Sequence, residues 1–164
     1  MDAKDVLRNQ LASGDNLIEM FSQDFSDEEY LYQLPNGGQT TLWIIGHLAV
    51  SEDWMLSKIS GGEVKISPEM HEKFQGGTAP TGNAEDNPSI DEVKQLFKEQ
   101  RERTLAALDE SDTDTWENES PEDVRQFFPT IGGLWSLMAT HEFWHFGQLS
   151  VIRRNLEKPS ALGM

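Results

Sequence analysis

Cysteine is absent from all 164 residues of the chain. Its absence excludes disulfides, thiolate-ligated zinc and a protein thiol nucleophile. Positive charge is scarce: 13 lysines and arginines stand against 29 acidic residues, for a formal net charge of −16. Such a surface repels phosphate backbones and anionic headgroups, so neither nucleic acid nor a membrane surface is an expected partner. No apolar run approaches the ~20 residues of a membrane span. The opening Met1-Asp2-Ala3-Lys4-Asp5 shows no cationic-plus-apolar leader. A soluble, cytoplasmic protein is expected. Sustained period-two alternation is also missing, which argues against strands, and no internal repeat is visible. The length suits a single domain, 1–164, with a sizeable core.

Helical periodicity fills the space that these absences leave. Leu7, Leu11, Ile18 and Phe21 share one face of a helix near 3–22, with Gly14 interrupting it where another helix can pack close. Residues 23–40 turn acidic, then rich in turn formers (Pro35-Asn36-Gly37-Gly38), and read as a connection. Thr40 or Thr41 caps a second helix near 41–60, carrying Trp43, Ile44, His47, Leu48, Ser51, Trp54 and Met55. Residues 61–88 hold five glycines and three prolines, with a short helical turn near Met70–Phe74. A connection of that length is commonly a lid or a pocket wall. Ser89 with Glu92 forms a capping box for a third helix near 89–109, whose apolar face is Val93, Leu96, Phe97, Thr104 and Leu108. Ser120-Pro121 resembles a short helix start. Thr130 caps the fourth long helix, which runs to about Asn155 with Arg153 and Arg154 at its negative pole. The expected fold is all-α: a four-helix bundle with a long crossover connection between helices 2 and 3.

Four histidines are present, and three fall on helices that face inward. His141 and His145, four apart, stand one above the other on one helical face. Their Cβ atoms are then about 5–6 Å apart, within reach of one divalent metal. The stripe they occupy also carries Leu134, Leu137, Met138, Gln148 and Ile152. Buried polar rings need a partner, and His47 on the second helix supplies one. Together His47, His141 and His145 read as a three-histidine metal site. The fourth, His71, lies in the glycine-rich connection and reads as a solvated loop residue. His141-Glu142-x-x-His145 also spells the HExxH string of zinc proteases. That reading needs strands and a further ligand downstream, and no histidine follows His145, so it ranks well behind.

Gly46-His47-Leu48, then His141-x-x-x-His145-x-Gly147-Gln148 and Arg153, set 94 residues apart from His47 to His141, resemble the DinB-like superfamily of metal-binding four-helix bundles over essentially the whole chain. The resemblance implies one divalent ion, most often nickel or zinc, held by the three histidines with water completing the shell. It also implies a homodimer, to which the five tryptophans and eight phenylalanines add weight, being generous for one bundle core. Members of the family include low-molecular-weight-thiol transferases, a thiol-dependent isomerase and proteins assigned as hydrolases.

Three neutral imidazoles leave a metal its full charge and an open position, the catalytic and not the structural pattern. Two reactions on a small-molecule substrate follow: hydrolysis by a metal-activated water, or attack by an external thiol on an electrophile. With no cysteine in the chain, the thiol is a cosubstrate. Gln148 is placed to orient a ligand or to make a helix contact. Glu142, about 60° from His145 around the helix, is a candidate general base or a solvated edge residue. Ser51, Trp54 and Trp144 are candidate lining residues, Gly147 a point of close helix approach, and Arg153 and Arg154 a candidate contact for an anionic cosubstrate. A metal-binding protein without turnover is the alternative from another class.

Overall fold

The computed structural model describes residues 1–35 and 37–163. Asn36, one of the turn formers of the first connection, lies outside them. The described chain is all-helical: α1 (Ala3–Ser22), α2 (Asp27–Tyr30), α3 (Thr41–Ser60), α4 (Pro68–Phe74), α5 (Ile90–Glu110), α6 (Glu122–Arg125) and α7 (Ile131–Asn155). Among the described residues, β-pairing is limited to one isolated bridge, Glu119 to Thr130. No helix there is long and apolar enough to cross a membrane.

Capping chemistry sets where the long helices begin. The Thr40 hydroxyl accepts from the Trp43 N–H, and the Thr130 hydroxyl from the Gly133 N–H. Ser89 and Glu92 form the expected capping box at α5. The four long helices start and end within one residue of their expected limits. The short ones were less legible. Ser26 with Glu29 makes a capping box that starts α2 inside the stretch taken as a connection. At α6 the sequence reading is corrected: Pro121 occupies the cap position itself, with no side-chain cap. Ser120 is buried and donates its hydroxyl to the Phe128 carbonyl instead.

Contacts along the long helices fix their directions. Gly14 lies against Glu142 and Phe21 against Phe146, so α1 and α7 run together. Glu52 meets Arg101 and Thr104, and Leu56 shares a cleft with Ala107, so α3 and α5 also run together. His47 beside His145, and Met55 in one cluster with Trp135 and Met138, make α3 and α7 antiparallel. Parallel neighbours need a long return, and residues 61–89 provide it, with α4 packed on α3.

The apolar interior is split in two. One cluster gathers Leu7, Leu11, Met55, Leu108, Trp135, Met138 and Ala139. The larger one gathers Phe21, Ile45, Leu48, Phe74, Phe97, Phe146 and Leu149 among others. Between them lies a buried polar layer: Arg101 of α5, Glu52 of α3, Glu142 of α7 and Thr104. Gly14 makes room for that layer. A Cβ built there would sit 1.4 Å from Oε2 of Glu142. Gly147 is different: among the described residues nothing lies within 4 Å of an added Cβ, so it is no point of close helix approach.

The two glycines should therefore respond with opposite sign. Gly14→Ala must displace a buried carboxylate and is expected to destabilise by about 1–3 kcal/mol despite alanine's better helix propensity. Gly147→Ala, in open space within α7, should stabilise by about 0.5–1 kcal/mol. Denaturant unfolding of the two variants checks this; equal shifts would refute the assignment of Gly14 to the polar layer.

Candidate metal centre

α3 and α7 bring His47, His141 and His145 together. One ring nitrogen from each lies within 4.8 Å of the others. His47 and His145 are buried and His141 is partly so. The Nε2 atoms of His141 and His145 are 3.2 Å apart. Two nitrogens on one tetrahedral zinc, each at ~2.0–2.1 Å, stand about 3.3 Å apart. The donor set fits a divalent ion without rearrangement of this pair.

Hydrogen bonds decide which nitrogen each ring offers. Nδ1–H of His47 donates to the Phe74 carbonyl at 2.8 Å. A carbonyl only accepts, so the proton sits on Nδ1 and Nε2 is left as the ligand atom. His145 follows the same rule, with Nδ1–H donating to Oε1 of Gln148 at 2.7 Å. Outer partners of this kind fix tautomer and ring orientation in metal sites. His141 differs: its Nδ1 is buried without a partner among the described residues. Trp43 stacks on His47 with ring centroids 4.5 Å apart, which holds the ring plane.

Gly46 is the reason Phe74 can reach His47. A Cβ at Gly46 would lie 2.6 Å from the Phe74 ring. The Gly46-His47 pair is thus one unit: the glycine admits the end of α4, and the carbonyl of α4's last residue orients the histidine.

The other expected site residues scatter. Gln148 is exposed and engaged with His145. Glu142 points into the polar layer, where its carboxylate meets Arg101. Ser51 lies at the cluster, its hydroxyl 3.4 Å from His47 Nε2. Trp144 is two-thirds exposed, with its ring edge-on to His141 at 5.8 Å between centroids. Trp54 lines a cleft together with Ser51. Arg153 is buried and bound to Asp24 and to the Phe21 and Pro159 carbonyls, so it ties the end of α7 to the loop after α1. His71 is not a solvated loop residue: it stands on α4, with Nε2 3.0 Å from the buried carboxylate of Asp53. Sequence reasoning missed Arg101 and Asp53. Arg101 has a legible signal, since it continues the Val93, Phe97, Thr104, Leu108 face of α5.

The electrostatics follow from burial. Desolvation, with His145 and His47 adding repulsion, pushes the His141 imidazole down to about 3. Burial also lowers His47, with a smaller contribution from His145, and lowers His145. All three rings are neutral near pH 7, which is the form that ligates. Burial raises the carboxyls of Glu52 to about 7 and Glu142 to about 8, with Arg101 opposing.

The arrangement defines a class first: an all-helical protein whose inward histidines could hold one metal ion. The family model of the DinB superfamily matches residues 10–149, and the chain belongs to that superfamily. No curated protein matches the sequence.

Both sets of shifts act on stability in the metal-free protein, in opposite senses. The unfolded chain protonates its imidazoles near 6.5, whereas the folded chain resists, so stability falls as pH drops below 6.5. The folded chain retains protons on Glu52 and Glu142 that the unfolded chain loses near 4.5, so stability falls as pH rises from 4.5 through about 7 and about 8. As pH rises past 6.5 the imidazole contribution levels off while the carboxyl loss continues, so thermal unfolding of metal-free protein should show a declining midpoint towards pH 8. Glu142→Gln should flatten that decline. A parent midpoint that climbs over this interval would contradict the assignment.

Proposed function

We propose that the chain is a metal-dependent enzyme of transferase or hydrolase type. One divalent ion, nickel or zinc, is held by Nε2 of His47, His141 and His145. The observation that carries the reading is the convergence of three ring nitrogens, two of them with their protons already assigned to the opposite side of the ring. When bound, the ion supplies Lewis acidity at an open position, to activate either water for hydrolysis or the sulfur of a low-molecular-weight thiol cosubstrate for transfer to an electrophile. The protein's own contribution is positioning. Phe74 and Gln148 hold two of the rings, and Ser51 stands beside His47 Nε2 as a hydrogen-bonding contact for a small-molecule substrate. The directions of α1, α3, α5 and α7 support reading the architecture as a four-helix bundle in one domain, 1–164, with residues 61–89 as its crossover. A cytoplasmic homodimer is the assembly we propose.

The second reading, metal binding without turnover, draws on Glu142. That carboxylate sits against Arg101 in the core, so the nearest candidate general base is committed elsewhere. The same placement counts against the HExxH protease reading, where this glutamate would have to serve the metal.

Single alanine variants test the site. Loss of His47, His141 or His145 should weaken binding of nickel or zinc by at least about 10–100-fold, the size seen for outer partners alone. His71→Ala should leave metal affinity unchanged. If His47→Ala, shown to be folded, binds metal as tightly as the parent, α3 and α7 are not joined through an ion and the proposal falls. Incubating loaded protein with several thiols and a reactive electrophile then separates transferase from binding protein. Sedimentation giving only monomer at micromolar concentration would remove the dimer.

A further inference from the structure

A cleft of about 320 Å³ opens beside the three histidines. Val50, Ser51 and Trp54 of α3 form one wall, and His71, Gln75 and Gly76 the other. Its near end is the metal centre: Ser51 Oγ is 3.4 Å from His47 Nε2, and a Cβ at Gly76 would lie 3.9 Å from His47 Cε1. Its far end is His71, which Asp53 of α3 holds in place. Asp53 is 3% exposed, and its oxygens accept the backbone N–H groups of Lys65 and Ile66 at 2.8–3.0 Å. Arg103 lies 3.6 Å from its other side. Facing donors on every side, the Asp53 carboxylate accepts a further hydrogen bond from His71 Nε2 at 3.0 Å. In the neutral ring the proton is therefore on Nε2, and the Nδ1 lone pair is left as an acceptor.

Such a carboxylate–imidazole pair resembles a general base, but its place argues otherwise. Asp53 lies six residues beyond His47 on α3, about 9 Å of helix rise. Nδ1 is too far along the cleft to take a proton from an atom held at the three histidines, since direct transfer needs ~2.6–3.2 Å. It is placed to read the far end of a bound molecule. Resting on the metal-centre reading above, we infer that this cleft is the substrate subsite and that His71 is its specificity-determining residue. The substrate class is an elongated molecule that meets the metal centre through one end. Its alkyl middle lies along Val50 and Trp54, and its other end offers a hydrogen-bond donor, a primary ammonium most favourably, to His71 Nδ1. Asp53 behind the ring adds negative charge that favours a cationic donor.

The test uses full-length protein loaded with nickel and the absorbance of sulfur-to-metal charge transfer, so it does not depend on turnover. Three probes share the same anchor and chain: aminohexanethiol, mercaptohexanol and hexanethiol. Cysteamine carries the ammonium on a chain too short to span the cleft. Aminohexanethiol should bind the parent about tenfold more tightly than hexanethiol, as expected for one hydrogen bond to a charged group. Mercaptohexanol should fall between, and cysteamine should gain nothing from its ammonium. In His71→Ala the preference should vanish with nickel content unchanged. His71→Gln guards against a loosened α4, because its amide nitrogen can still donate to Asp53 while its carbonyl oxygen does not occupy the Nδ1 position; the preference should fall well below the parent's. Equal affinities for aminohexanethiol and hexanethiol in the parent, or a preference that survives in His71→Ala or stays undiminished in His71→Gln, would overturn the inference and leave the metal centre standing. No charge-transfer band with any probe on nickel-loaded protein would overturn this inference together with the thiol-binding reading of the site. Failure of the parent to bind either nickel or zinc would remove the metal centre itself.

Discussion

Arg101 is the interaction on which the geometry of the centre depends. Its guanidinium bonds Glu52 of α3 and Glu142 of α7, and Asp15 of α1 lies 3.5 Å from its Nε. α3 and α7 are also the two helices that carry the histidines. Glu142 follows His141 directly, so fixing its carboxylate in the core fixes the rotation of α7 about its own axis. A rotation by one residue, about 100°, would turn His141 and His145 away from His47. An apolar layer at this level would bury area equally well but would tolerate such slippage. A buried charge contributes little net stability compared with packed hydrocarbon, yet pulling a carboxyl away from the Arg101 guanidinium is expensive because that charge is left short of a partner. That penalty is what resists rotation here. Gly14 belongs to the same device, since only a residue without Cβ leaves space for Glu142 on the α1 side.

Around the histidines, each support does one job. The Phe74 carbonyl and the Gln148 amide decide which nitrogen faces inward on His47 and His145. The indole of Trp43, itself held by a hydrogen bond from its Nε1 to Thr78, stacks on the His47 ring. Burial then keeps the rings neutral. Proton placement, ring plane and charge state are all set by folding, so a metal entering the centre finds ligands with little conformational freedom left to lose.

Much of this could be read before any coordinates. Threonine and serine caps marked the starts of α3, α5 and α7, and the glycine at Gly14 marked a close contact. The histidine spacing marked the centre, because helical periodicity is a local property and four residues always return a side chain to the same face. What escaped depends on pairs distant in sequence. Glu142 read as a candidate general base or a solvated edge residue because its partner, Arg101, is 41 positions away on another helix. His71 read as a loop residue because nothing near it in sequence announces Asp53, 18 positions earlier. Gln148, one turn from His145, is the local exception: its orienting role was among the readings its spacing allowed, although the side chain is exposed and not on the inward stripe. Gly46 gave a partial sign: a glycine in an apolar helix interior carries a propensity cost that close packing must justify.

The topology explains why α4 is where it is. Because α3 and α5 run in the same direction, the chain leaving Ser60 must travel back along α3 before Ile90 can begin. A bare return of that length would leave its backbone groups to water and its path undefined. Asp53 stops this at the outset by accepting the N–H groups of Lys65 and Ile66, which pins the return against α3. α4 then runs toward the histidines, its His71 on Asp53 and its final residue, Phe74, seated on Gly46. The connection that parallel helices require is thereby made into the wall of the cleft and the support of His47. A return pinned elsewhere would leave the Nδ1 proton of His47 without its acceptor.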